Sequence, residues 1–241
     1  AEPPMPAGRV MPVAFRRGAG GALGCRRLLC YGDSLTVGFC KHGRTFEPYG
    51  RTLVEELVVH ASIGECEALV CGHSGLTAGE MVANLDNKRV LDVTSRQGKG
   101  LRRILREERT LGFVLIMAGT NDLGKGRLPE DIFEDICRLH TTCHSLGVRT
   151  VALAPPGAPF AKSVGDWEQS RCRVRDLLAT WAESNPFVSA FVDPCDLVPP
   201  TATGAWDPDL LHLSTAGSKM LGRRLAPRVL PLLLTRTATH A

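Results

Sequence analysis

Residues 27–38, RLLCYGDSLTVG, place a serine where a short apolar run gives way to a polar turn. Leu28, Leu29, Cys30 and Tyr31 read as a strand, Gly32 lets the backbone turn sharply, and Asp33 and Ser34 follow at its end. Strand ends are where an α/β fold exposes reactive groups, so Ser34 is a candidate nucleophile. Gly-Asp-Ser is also an ordinary turn composition. A serine hydroxyl becomes a useful nucleophile only when a base takes its proton, and the chain has seven histidines. His60, His140 and His144 fall on expected helices and His240 in the C-terminal tail, leaving His42, His73 and His212 in loops. Of these, only His212 has a carboxylate, Asp209, placed three positions earlier so that a short turn could orient its imidazole. Asp209 could instead cap a turn before the last helix.

The elements that must carry these residues follow a repeated order of strand then helix. Strands are expected at the apolar runs before Gly32, at residues 67–71, 111–118 and 148–154, and at residues 187–192. The run LGFVLIMA at 111–118 has the continuous apolar character of a central parallel strand. Helices are expected after each, the first capped by Thr45 with Pro48 in its first turn. The next is capped by Thr77 with Glu80 in capping-box spacing. Further helices occupy residues 98–110, 129–146 and 168–184. A last one is capped by Ser214 or Thr215 and kinked or interrupted at Pro227. The expected fold is a single α/β domain, residues 27–235, in which a mostly parallel five-stranded sheet is covered by helices on both faces. Residues 1–26, rich in Pro, Gly and Arg, read as a flexible basic arm, and residues 236–241 as a tail. The arm is compatible with a targeting remnant or with a segment that orders on a partner, in a homo-oligomer or a larger assembly.

Composition narrows the function classes. The net charge of +4 comes from 29 basic against 25 acidic residues. Its clusters at Lys88/Arg89, Arg102/Arg103, Arg171/Arg173/Arg175 and Arg223/Arg224 are spread over helices. Solvated helix faces account for them better than nucleic-acid binding does. No apolar run approaches the roughly 18–20 residues of a membrane helix. Nine cysteines, an odd number without even cadence, do not suggest a disulfide scaffold. Reduced thiols in an intracellular compartment, cytoplasm or organelle, are the expectation. Cys66, Cys71 and His73, and likewise Cys137, His140, Cys143 and His144, have imperfect metal-ligand spacing, and no metal is expected.

Four blocks in order then carry a resemblance. Gly32-Asp33-Ser34-Leu35-Thr36, Gly75 within His73-Ser74-Gly75-Leu76-Thr77, Gly119-Thr120-Asn121-Asp122 and Asp209-Leu210-Leu211-His212 resemble the blocks of the SGNH/GDSL hydrolase superfamily. The likeness runs from about Arg27 to Leu233 and is nearest to its small single-domain arylesterase, lysophospholipase and acyl-esterase branches. It implies a three-layer α/β/α, flavodoxin-like fold and a serine esterase working without cofactor. Ser34 would be the nucleophile, His212 the base and Asp209 its orienting acid. The backbone N–H of Ser34 and of Gly75 and the Asn121 amide would form the oxyanion hole. The substrate would be a small carboxylic ester, with a carbohydrate acetyl ester or a non-catalytic subunit role as alternatives. Pocket-building loops are expected at residues 39–46, 155–167 and 199–206. His73 either touches substrate or satisfies a loop carbonyl, and Phe160, Trp167 and Trp206 are either an apolar wall or packing anchors. Asp33 is expected to shape the nucleophile turn and Asp122 to hold the loop of Asn121.

Overall fold

The computed structural model describes residues 10–18, 25–61, 64–108, 110–163 and 165–234. In chain order the elements are β1 (Val13–Gly18), β2 (Arg26–Gly32), α1 (Ser34–Val37), β3 (Phe39–Cys40), β4 (Thr45–Phe46) and α2 (Tyr49–Ala61). Next come β5 (Glu65–Gly72), α3 (Ala78–Ala83), β6 (Val90–Leu91), β7 (Gln97–Gly98), α4 (Leu101–Glu107), β8 (Phe113–Met117) and α5 (Thr120–Gly124). The chain then forms α6 (Pro129–His144), β9 (Arg149–Leu153), a 3-10 turn at Pro159–Ser163, α7 (Trp167–Ser184), β10 (Val188–Val192), α8 (Pro194–Leu197) and α9 (Thr215–Leu234).

Among the described residues the main sheet has six strands in the order β1-β5-β2-β8-β9-β10, parallel except for β1. β8 sits near its middle with every side chain buried, each contributing about 1.5–3 kcal/mol by leaving water. Alternation assigns the faces. Cys30, Ala68 and Val70 point toward α2, where they surround Gly50. Thr150 points the other way, to His140 of α6. α9 packs on α2, while α3, α4 and α7 join α6 on the opposite side. The core therefore has two apolar layers with the sheet between them.

The sixth strand corrects the sequence reading. Val13–Gly18 lies inside the expected arm, yet it pairs antiparallel with β5 from Val13↔Val70 to Gly18↔Glu65. Val13 and Phe15 face inward, Arg16 pairs with Glu65, and Arg17 reaches Glu55 at 2.9 Å. A six-residue alternation was hidden by the Pro, Gly and Arg around it. The rest of the arm before Val10 and at residues 19–24, and the tail at 236–241, lie outside the described residues.

Two helix boundaries also differ. Thr45 does not cap a helix. It pairs with Cys40 in the β3–β4 hairpin, and α2 begins at Tyr49. α9 runs through Pro227 and Pro231 without interruption. Leu221, Leu225, Val229 and Leu233, at helical spacing, are buried on its inner side, and that packing offsets the backbone hydrogen bonds the prolines remove.

Candidate active site

β2 is flanked by β5 on one side and β8 on the other, so the chain leaves the sheet in opposite directions around it. That is where a doubly wound sheet opens a crevice at its carboxyl end. Ser34 follows β2, Gly75 follows β5 and Asn121 follows β8, which brings three of the four sequence blocks to one rim. The turn at Ser34 depends on close approach: a Cβ on Gly32 would lie 1.9 Å from the Met117 carbonyl oxygen. Asp33 caps α1, its Oδ1 accepting the Leu35 N–H at 3.0 Å, which is the turn-shaping role expected of it. Burial, with Asp122 adding repulsion, raises the Asp33 carboxyl to about 7.

The fourth block arrives from the turn before α9. Asp209 Oδ1 accepts the backbone N–H of Leu211 (3.0 Å) and of His212 (2.9 Å), while its Oδ2 lies 2.8 Å from His212 Nδ1. His212 Nε2 is 3.0 Å from Ser34 Oγ. A carboxylate only accepts, so Nδ1 carries the proton and Nε2 is left to accept from the serine hydroxyl. Burial pushes the Asp209 carboxyl upward, but the hydrogen bonds from His212 and Leu211 outweigh it and leave the group below its ordinary value. Leu210, between them, adopts φ 58°, a left-handed conformation that costs a non-glycine residue about 1–2 kcal/mol. Its carbonyl is held by the Phe160 N–H at 3.1 Å, and the His212 carbonyl by the Asp207 N–H at 2.8 Å. The turn is braced from outside as well as by its own acid.

Gly75 has φ 78°, and a Cβ there would meet the Val93 side chain at 2.6 Å. The β6–β7 hairpin holds this loop: Asp92 Oδ2 accepts the Ser74 N–H at 3.1 Å and the Val93 N–H donates to the Ser74 carbonyl at 3.1 Å. Asn121 Nδ2 donates to the Leu76 carbonyl at 2.9 Å, which uses one of its two amide hydrogens. Asp122, fully buried, accepts the Ala78 N–H at 2.8 Å and pairs with Arg127, tying the loop of Asn121 to the helix after Gly75. Among the described residues, neither the Ser34 N–H nor the Gly75 N–H has an acceptor. Both backbone donors, and the second amide hydrogen of Asn121, are thus left without a partner at the carboxyl end of the sheet.

Other expected contacts fall elsewhere. His73 is fully buried, with Nε2 donating to the Lys99 carbonyl at 3.2 Å and its ring edge-on to Tyr31. Burial lowers its pKa to about 4. It satisfies a carbonyl inside the protein and cannot touch substrate. Trp167 is buried and packs edge-on against Phe160 at 4.9 Å, so it anchors the 155–167 loop. Trp206 donates its indole N–H to the Pro199 carbonyl at 3.2 Å and bridges to Leu213; it too holds a loop down. Phe160 is half-buried. Sequence reasoning missed Phe39, whose ring lies 4.5 Å from the His212 imidazole, and the exposed Val93 beside Gly75. Phe39 opens a loop marked as pocket-building, but nothing in residues 86–97 marked a hairpin. Among the described residues no cluster of His, Cys, Asp and Glu is arranged to hold a metal, and no helix is long and apolar enough to cross a membrane.

The model of the GDSL-like lipase/acylhydrolase family matches residues 30–220. The chain belongs to that family. The matched span begins within β2 and ends within α9, so the edge strand β1 is outside it. Solved structures share the fold of this family member. The crystal structure of TesA is 18% identical with a TM-score of 0.64, covering 86% of this chain and 99% of that one. The psychrotrophic esterase EstA from Pseudoalteromonas sp., inhibited by monoethylphosphonate, is 14% identical with a TM-score of 0.64, covering 86% and 98%. A Clostridium thermocellum family 3 carbohydrate esterase is 18% identical with a TM-score of 0.63, covering 87% and 97%. At these identities the likeness is one of fold. No curated protein matches the chain in sequence.

Proposed function

We propose that this family member is a serine esterase that cleaves carboxylic esters, of short-chain acyl, aryl or lysophospholipid type, through an acyl-enzyme on Ser34. The observation that carries the reading is the placement of His212 between Ser34 Oγ at 3.0 Å and Asp209 Oδ2 at 2.8 Å. His212 Nε2 takes the hydroxyl proton as Ser34 Oγ attacks the ester carbonyl, and Asp209 holds the imidazole in the tautomer that can do so. The carbonyl oxygen becomes a tetrahedral oxyanion, met by the N–H groups of Ser34 and Gly75 and the second amide hydrogen of Asn121. Such donors strengthen as charge develops, because they are already oriented. Collapse of the intermediate expels the alcohol, which receives the proton from Nε2. Water, deprotonated by the same nitrogen, then attacks the acyl-enzyme and frees Ser34. No step needs a metal or an organic cofactor. All nine cysteines are free, which supports a reducing intracellular setting for the reaction.

Purified protein is expected to hydrolyse short p-nitrophenyl esters and to be labelled at Ser34 by a fluorophosphonate. Unchanged turnover in Ser34→Ala would sink the assignment. A panel of acetylated sugars, lysophospholipids and short aryl esters, compared by kcat/KM, separates the substrate branches.

A further inference from the structure

The β3–β4 hairpin is packed on His212 through Phe39. The centre of that ring lies 4.5 Å from the centre of the imidazole. The ring also contacts the hairpin tip, where a Cβ on Gly43 would sit 2.8 Å from it. The tip is therefore about one aromatic ring away from His212. It carries Lys41, His42 and Arg44, all exposed. Lys41, His42 and Gly43 adopt φ 51°, 54° and 75° in succession. Lysine and histidine thus occupy left-handed positions where glycine or asparagine is usual. The Gly43 N–H bonds the Cys40 carbonyl, the Arg44 N–H bonds the Lys41 carbonyl, and the Lys41 N–H bonds the Asp207 carboxylate. The hairpin is further held by Arg96, whose guanidinium lies 3.9 Å over the Phe46 ring.

These three side chains differ from many of the basic residues elsewhere, which are paired. Arg102 and Arg106 pair with Asp86, Lys99 and Arg103 with Glu107, Arg127 with Asp122 and Asp135, and Arg171 with Glu168 and Asp193. Among the described residues, Lys41, His42 and Arg44 have no ion pair and no side-chain hydrogen bond. Of the acids that come close, buried Asp207 is engaged by the Lys41 backbone, and Asp209 by His212. The other flank is apolar at Val93, which is exposed beside Gly75, and Leu91 of the same β6–β7 hairpin is exposed as well.

Reaction chemistry assigns the two flanks. The imidazole that takes the serine proton returns it to the leaving oxygen, so the alcohol part of an ester lies along His212 and the acyl part on the remaining side. We infer that Lys41, His42 and Arg44 bind a negative charge on the alcohol portion, making the substrate the ester of an anionic alcohol. This rests on the esterase reading and narrows its substrate class. The sulfonate, phosphate or carboxylate of such an alcohol would meet two cations and an imidazole one ring beyond the leaving oxygen, while Val93 and Leu91 cover an apolar acyl group.

The test compares acetate esters of 4-hydroxybenzenesulfonate, 4-hydroxyphenyl phosphate and neutral 4-hydroxybenzenesulfonamide, each rate divided by that ester's hydroxide-catalysed rate. The full chain is expected to favour the anionic esters over the neutral one by about fivefold or more in kcat/KM at low ionic strength, chiefly through KM. Salt at about 0.5 M, with a Debye length near 4 Å, should bring the ratio toward one. Lys41→Gln/Arg44→Gln should lower it, and Lys41→Glu/Arg44→Glu should invert it. Arg149→Gln/Arg228→Gln, which removes two exposed charges far from the hairpin, should leave the preference in place. The sulfonate and phosphate arms identify the preferred anion. Ser34-dependent turnover with equal rates for charged and neutral esters overturns this inference and leaves the esterase reading standing. So does a preference that survives the Lys41/Arg44 changes. Absence of Ser34-dependent turnover of every ester overturns the esterase reading and this one with it.

Discussion

The two ends of the sheet each place a histidine against a hydroxyl at almost the same distance. At the carboxyl end His212 Nε2 is 3.0 Å from Ser34 Oγ. At the amino end Thr150 Oγ1, near the start of β9, lies 2.8 Å from His140 Nδ1 and 2.9 Å from His144 Nε2. What differs is the third group and the access. Asp209 orients His212, whose side chain keeps 15% exposure. Among the described residues His140 has no carboxylate partner; it is fully buried, and its pKa is lowered to about 3 by burial, with His144 adding to the effect. Trp181 and Phe187 pack around the pair. A His–hydroxyl distance alone therefore does not make a reactive serine or threonine. What Ser34 has and Thr150 lacks is an acid that fixes the tautomer of its histidine and a histidine that keeps some exposure.

Ser34→Ala should lower ester kcat/KM by at least about a thousandfold. Thr150→Val should leave turnover within about twofold under the same assay; a comparable loss would erase the distinction between the two ends. Asp209→Asn should cost about a hundred- to ten-thousandfold, less than Ser34→Ala, because the oxyanion donors remain while the favoured tautomer is lost. An equal or larger loss than in Ser34→Ala would show that Asp209 does more than orient.

Thr150→Val should instead reduce unfolding free energy by about 1–3 kcal/mol in urea titrations, since it strands a buried imidazole nitrogen. The pH dependence of stability also separates the ends. Asp33 has a folded-state pKa of about 7 against an ordinary 3.8. Its contribution is complete below about pH 4 and is lost as pH rises through about 7. His140 behaves oppositely: lowered from 6.5 to about 3, its contribution is complete above about pH 6.5 and is lost as pH falls through about 3. Urea unfolding at about pH 5 and pH 8 should show Asp33→Asn gaining on wild type by more than about 1 kcal/mol between the two. A constant gap would mean that Asp33 is ionised in the fold at both.

Much of the scaffold was legible in the chain. The continuous apolar run at residues 111–118 marked a central strand, and β8 is buried along its whole length. Thr77 and Glu80 marked a helix start, and both halves of that capping box are present. β1 was not legible, because an edge strand needs only a short alternation and its partner β5 is about 50 residues away. Thr45 has the local chemistry of a helix cap, whereas its pairing with Cys40 depends on a hairpin that Phe39, Phe46 and His212 hold against the site. His73 and the tryptophans illustrate the limit for side chains: residue type says what a group can do, and burial decides whether anything reaches it.

By itself the sequence determined which groups could react, because residue chemistry and strand-end turns are local properties: Ser34 after β2, Gly75 after β5, Asn121 after β8, and Asp209 three residues before His212. Only the tertiary structure decided which groups meet. Strand order placed β2 between β5 and β8, and the packing of α9 on α2 delivered a turn 178 positions away to Ser34. The β3–β4 hairpin meets that histidine through Phe39, while His73 is closed in against Tyr31 and the Lys99 carbonyl. Such proximities arise from long-range burial, which no short window of sequence contains.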